Sequence, residues 1–138
     1  MPLSRLNRFK RPSFDTWPFK ETLNFPKGLH GFENLIRFSL IGHKHETPFL
    51  RLASEENDAI SFVVADPFPL YPFYEPVITK KDVEDLNVGG EAKLIILAIV
   101  NTIERPLTLN LEAPLLIHWH IKQGKQLLFP NDPAFPID

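Results

Sequence analysis

Fourteen prolines are spread through the 138 residues of this chain, and they limit what it can fold into. Proline has no backbone N–H and fixes φ at about −65°, so it interrupts helix interiors and is kept out of central strands. A chain cut this often is a series of short segments, and short apolar segments bounded by turn residues read as strands. "LIRFSLIG" (35–42) and "PFLRLAS" (48–54) show partial alternation, and "LTLNLEA" (107–113) alternates cleanly. "AISFVVA" (59–65) and "KLIILAIVNT" (93–102) are β-branched or continuous apolar runs.

One stretch breaks the pattern. In "TKKDVEDLNVGG" (79–90), Thr79 is followed three residues on by Asp82, a capping-box-like start. Val83 and Leu86 form one apolar stripe, and Gly89-Gly90 ends it. The expected architecture is therefore all-β, a compact antiparallel β-barrel or two-sheet sandwich with one short helix near 79–87.

Charge divides the chain unevenly. Residues 1–12 carry Arg5, Arg8, Lys10 and Arg11 and no acid, so the net −2 leaves residues 13–138 at −6. Residues 1–12 read as a basic, disordered N-terminal arm, and 13–138 as a single β domain. An acidic body argues against direct nucleic-acid binding, which calls for a basic face, and suits a basic protein partner. The longest apolar run, "LIILAIV", is far short of the ~20 residues of a spanning helix. No signal peptide is visible, and the absence of cysteine excludes disulfides and thiolate chemistry. A reducing cytoplasm without membrane contact is the expected setting.

The histidines raise the one enzymatic possibility. Four of five fall in two H-x-H pairs, His43-Lys44-His45 and His118-Trp119-His120, and imidazole is a common ligand of zinc, iron and nickel. In an extended strand Leu115, Ile117, Trp119 and Ile121 share one face, and Leu116, His118, His120 and Lys122 the other. The apolar face is expected in the core, burying Trp119 with Ile117 and Ile121. His118 and His120 are expected to face water before a "KQGKQ" turn. A cupin-like metal site would place a glutamate shortly after H-x-H, where this chain has Lys122, Gln123 and Gly124. A half-buried strand explains the pair without metal; a small cupin-like metal-dependent β-barrel enzyme is the rival. No serine lies in a nucleophile elbow, and "VGGEAK" lacks the spacing of a phosphate-binding loop. No catalytic residue, metal or cofactor is assigned.

Ordered motifs from Leu23 to about Leu128 point elsewhere. "FPKGLHGFENLIRFSL" places Phe25, Pro26, Gly28, Leu29, Gly31, Phe32 and Glu33 in an F-P-x-G-L-x-G-F-E opening. "PFLRLAS", "AISFVVADPFPLYPFYEPVI", "LTLNLEAPLLIH" and "GKQ" follow in order. Together they resemble the bacterial flagellar assembly factor FliW family, with "GKQ" in the place of its G-x-Q turn. There are departures: Ala53 stands where the family usually has glutamine, and the basic N-terminus is not typical. Prolines 130, 133 and 136 replace the usual C-terminal strand with its Tyr and Arg.

The motif residues also have local meanings. Asp66 and Pro67 suit a type I turn, and Gly28 and Gly31 permit positive φ. Pro114 in "EAP", after Asn110 and Ala113, starts a strand at an edge-compatible position. For Phe25, Pro26, Gly28, Gly31, Phe32, Glu33, Asp66, Pro67, Asn110, Ala113 and Pro114 the expected role is mainly structural. "PFPLYPFYEP" (67–76) differs, packing Phe68, Tyr71, Phe73 and Tyr74 among four prolines. If exposed, these aromatics form an anchor patch for a partner; core packing is the equal alternative.

The resemblance implies a non-enzymatic cytoplasmic protein that binds flagellin and also binds the translational regulator CsrA, whose RNA-binding activity it antagonises. Flagellin level is thereby coupled to flagellin translation. Competitive and allosteric antagonism are both open, as is the oligomeric state.

Overall fold

The computed structural model of the chain describes residues 19–43, 48–84, 94–103, 105–129 and the backbone of 135–136. The basic arm, His45, Leu86 and Gly89-Gly90 fall outside them, as does the side chain of Val83. The strands are β1 (Phe19–Asn24), β2 (Arg37–Gly42), β3 (Phe49–Ser54), β4 (Ser61–Ala65), β5 (Leu94–Asn101), β6 (Thr108–Leu109), β7 (Leu115–His118), β8 (Gln123–Gln126) and β9 (Phe135–Pro136), with helix α1 (Lys80–Glu84) between β4 and β5. Seven strands, in the order β4-β3-β2-β1-β8-β7-β5, close into a barrel through β4–β5 pairing. β6 and β9 extend the sheet from β5. The all-β barrel with one short helix is as the sequence predicts. Its neighbours are antiparallel except β1 and β8, which meet in parallel at Asn24 and Gln123.

That parallel seam depends on two backbone positions. Lys122 sits at φ 57°, and its carbonyl accepts the Asn24 N–H at 2.9 Å. A Cβ at Gly124 would lie 2.5 Å from the Phe25 ring, so only glycine leaves room for this fully buried side chain.

The barrel interior holds Leu23, Phe25, Phe38, Leu40, Leu52 and Val64 with Ile95, Leu97, Leu115 and Ile117. Burying each large apolar side chain contributes about 1.5–3 kcal/mol. The outer face of β5 and β7 is covered too. Leu94, Ile96 and Leu116 pack with Ile78 and Leu127, while Ala98 and Val100 pack with Leu109 and Leu111. This is why "LIILAIV" is continuously apolar: β5 is buried on both faces.

The same covering overturns the expectation for the histidine pair. β7 stops at His118, and the next strand already begins at Gln123, so the reversal is Trp119–Lys122, not "KQGKQ". Leu116 and His118 do share the second face of β7, but that face is closed: His118 is only 5% exposed. Trp119 is half-buried against the interior cluster, with the Lys122 ammonium 3.6 Å from its ring centroid. Ile121 is 42% exposed and His120 is exposed.

Two other segments differ from expectation. "LTLNLEA" alternates cleanly, yet only Thr108–Leu109 is strand, because Leu111 N–H turns back to the Leu109 carbonyl at 3.1 Å. "GKQ" lies within strand β8 rather than in a turn. The helix start matches its sequence signal. Thr79 Oγ1 accepts the Asp82 N–H at 3.1 Å, and Asp82 accepts the Thr79 N–H at 3.0 Å. Lys125 of β8 pairs with Asp82 at 3.3 Å and tethers the helix to the barrel.

Candidate partner-binding surface

The chain leaving β4 enters "DPFPLYPFYEP" through an Asx turn, with Asp66 Oδ1 accepting the Phe68 N–H at 3.1 Å. The Pro67 carbonyl then accepts the N–H groups of Leu70 and Tyr71 at 3.1 and 2.8 Å, coiling the backbone tightly. Prolines prevent this stretch from pairing as a strand, so it lies across the outer face of β5 and presents side chains in two directions.

The aromatics divide accordingly. Phe68 and Tyr74 pack on the cluster of Ile78, Ile96 and Leu116, their rings 5.9 Å apart and tilted by 35°. Tyr74 also donates its hydroxyl to the Leu111 carbonyl at 2.8 Å. Tyr71 is half-buried beside Leu70 on the cluster of Ala65, Ala98 and Val100. Phe73 is 94% exposed, and Val77 nearby in sequence is 55% exposed. Both alternatives from the sequence therefore occur in one segment: three aromatics serve packing, and one faces solvent.

Between them lies a concavity of about 380 Å³, walled by Tyr71, Pro72, Phe73, Tyr74 and Leu111, with Glu75 as its charged member. Leu111 is a wall that sequence reasoning did not single out, since its only signal was the alternation of "LTLNLEA". The surface offers apolar area and one carboxylate. That is the chemistry of an anchor pocket for a protein partner.

The other motif residues build loops at the barrel ends. Phe25 is fully buried edge-on to Phe38 at 5.7 Å, and Pro26 is exposed. Gly28 has φ 67°, and a Cβ there would sit 2.6 Å from Glu33 Cα. Phe32 packs edge-on to Phe62 at 5.3 Å. The Glu33 carboxylate accepts the Gly31 N–H at 3.1 Å, and the backbone amides of Glu33 and Gly31 hold it below the usual carboxylate range. Gln126, the last residue of the "GKQ" motif, joins two others: its side chain accepts the His30 N–H at 2.7 Å and donates to the Ala113 carbonyl at 3.1 Å. Asn110 donates its backbone N–H to the Ile99 carbonyl at 2.8 Å, and buried Pro114 leads directly into β7.

The described histidines do not assemble. His118 is buried with its Nδ1 lacking a hydrogen-bond partner, His120 lies in the exposed turn, and His43 follows β2. Among the described residues, no three His, Cys, Asp or Glu side chains are placed to hold a metal ion.

A family model described as FliW protein matches residues 11–137. The chain belongs to the FliW family. Relatives named flagellar assembly factor FliW include one from Alkaliphilus metalliredigens, 34% identical over 116 residues, covering 82% of this chain and 72% of that protein. Another, from Thermosipho africanus, is 32% identical over 115 residues, covering 81% and 79%. A crystal structure of the flagellar assembly factor FliW superposes with a TM-score of 0.74 at 30% identity, over 85% of this chain and 83% of that one. The barrel is thus the FliW fold, and the aromatic segment lies within the FliW match. Among the described residues, no helix is long and apolar enough to cross a membrane.

Proposed function

We propose that this FliW-family chain works in flagellar assembly by binding, not by catalysis: it takes flagellin on the groove around Phe73 and separately binds CsrA, opposing that regulator's contact with RNA. The observation that carries this reading is Phe73, a phenylalanine 94% exposed at the edge of an apolar concavity. Leaving such a ring in water is unfavourable, and a partner that covers it recovers the hydrophobic contribution. Phe68, Tyr71 and Tyr74 form and support the walls.

The −6 charge of residues 13–138 supports an association with an RNA-binding protein of basic surface through complementary potentials. Flagellin binding by mainly apolar contact and CsrA binding by mainly charged contact give the two complexes different salt responses. Both partners place the chain's work in the cytoplasm.

Titration of each partner into the purified chain at low and high salt tests this. One-to-one binding of both, with the CsrA complex weakened more by salt, is the expected result. No binding to either by folded protein would reject the function.

A further inference from the structure

The outer face of the barrel offers the N-terminal arm a route to the Phe73 groove. Lys20, Ile41, Arg51 and Val63 are cross-strand partners in one row over β1 to β4, so their side chains share a face. Lys20 and Arg51 are exposed, which makes it the outer face. Three strand spacings separate Lys20 from Val63, roughly 14 Å. Val63 packs on the cluster of Ala65, Ala98 and Val100, the cluster that also carries Tyr71 and Tyr74 of the groove. The chain from Lys20 back to Phe9 extends to roughly 36 Å, enough to pass Val63 and reach Tyr71.

The surface changes sign along this route. Near β1 a concavity of about 230 Å³ has Ile41, Phe49 and Val63 as apolar lining and Arg51 and His43 as basic lining, and Lys20 stands at the head of the row. In the groove the charged member is the exposed Glu75. Neither Arg51 nor Glu75 has a hydrogen-bond or ion-pair partner among the described residues. The arm changes sign in the opposite sense. Next to β1, "SFDTWP" (13–18) carries Asp15 and no base, with Phe14 and Trp17 beside it. Farther out, "RFKR" (8–11) sets three bases around Phe9 and has no acid. Laid along the route, the arm meets opposite charge at both ends.

We propose that residues 8–11 of this chain's own arm dock in the Phe73 groove. Phe9 packs against the rings of Phe73 and Tyr71, Arg8 or Lys10 pairs with Glu75, and Asp15 pairs with Arg51 on the way. The contact is weak, one apolar side chain with exposed charge pairs, so a partner can displace it. On the reading that flagellin takes the same groove, on which this consequence rests, the arm competes with flagellin and lowers its apparent affinity.

Limited trypsin digestion of the full chain, followed by mass spectrometry, tests the contact without any partner. Phe73→Ala and Glu75→Gln should each speed cleavage after Arg8 and Lys10 about twofold at unchanged melting, as expected for a groove that the arm fills about half the time. Cleavage at the wild-type rate in both variants would overturn the docking. Protection that grows with protein concentration would place a second copy's arm in the groove and overturn the intramolecular contact. Calorimetric titration then tests the competition: Phe9→Ser should bind flagellin about twofold more tightly than wild type. Unchanged affinity in Phe9→Ser, where Phe73→Ala loses flagellin, would overturn the competition. If neither wild type nor Phe9→Ser binds flagellin, the flagellin reading and the competition fall together, while the trypsin rates decide the contact by themselves.

Discussion

Tyr74 donates its hydroxyl to the Leu111 carbonyl at 2.8 Å, joining the aromatic–proline segment to the connector between β6 and β7. The contact fixes one wall of the groove relative to another. Tyr74→Phe keeps the ring packing but leaves the Leu111 carbonyl without that donor, so it should cost about 1–2 kcal/mol in chemical denaturation. Phe73→Ala, by contrast, should unfold within about 0.5 kcal/mol of wild type, because its ring is in solvent.

At Gly124 packing leaves little latitude. Gly124→Ala would drive a methyl to 2.5 Å from the Phe25 ring, which is fully buried and held against Phe38. We expect a loss of about 1–3 kcal/mol. Adding Phe25→Leu should recover part of it, and a double variant no better than the sum of the two single losses would contradict this packing account.

Stability should fall in acid in two steps. Burial lowers the pKa of His118 below its ordinary 6.5, with the nearby His120 charge adding to the effect. The unfolded chain then binds a proton that the folded chain does not, so stability present above 6.5 is lost as pH falls below it. Hydrogen bonds from Ser39 and Thr22 lower Glu55, those from the amides of Arg37 and Ile36 lower Glu56, and backbone amides lower Glu33, each from 4.5. Their contribution is complete above 4.5 and lost as pH falls through their lower folded values. Denaturation across pH should show both limbs, and His118→Leu should remove the upper one while retaining the lower.

The capping box at α1 gives a smaller effect. Asp82 serves both as a capping partner of Thr79 and as the ion-pair partner of Lys125. Asp82→Ala should therefore cost more than the ~1 kcal/mol typical of a lost cap, and Lys125→Met less. Equal losses measured by thermal melting would mean that the cap contributes nothing beyond the ion pair.

How far the sequence reads through to this structure depends on what covers each strand. "SFVVA" and "LIILAIV" announce β4 and β5 because their composition is set by burial. "FKETLN" does not announce β1, since Lys20, Glu21 and Thr22 interrupt its apolar signal and Leu23 alone is fully buried. "QGKQ" hides β8 for the same reason; its place is fixed by partners distant in sequence, Phe25 and Asn24. Alternation assigned Leu116 and His118 to one face correctly, but the packing of Ile78 over that face is a tertiary fact. In the aromatic segment composition identified the region, while only the three-dimensional path of the chain separates Phe73 from Phe68, Tyr71 and Tyr74.

The central claim is that flagellin binds through the exposed Phe73, and calorimetric titration of flagellin into wild type and Phe73→Ala tests it most directly. The account predicts one-to-one binding to wild type that persists at high salt, with a loss of roughly 2 kcal/mol or more in Phe73→Ala and unchanged melting. A folded wild-type chain that does not bind flagellin, or a Phe73→Ala variant that binds it equally well, would contradict it.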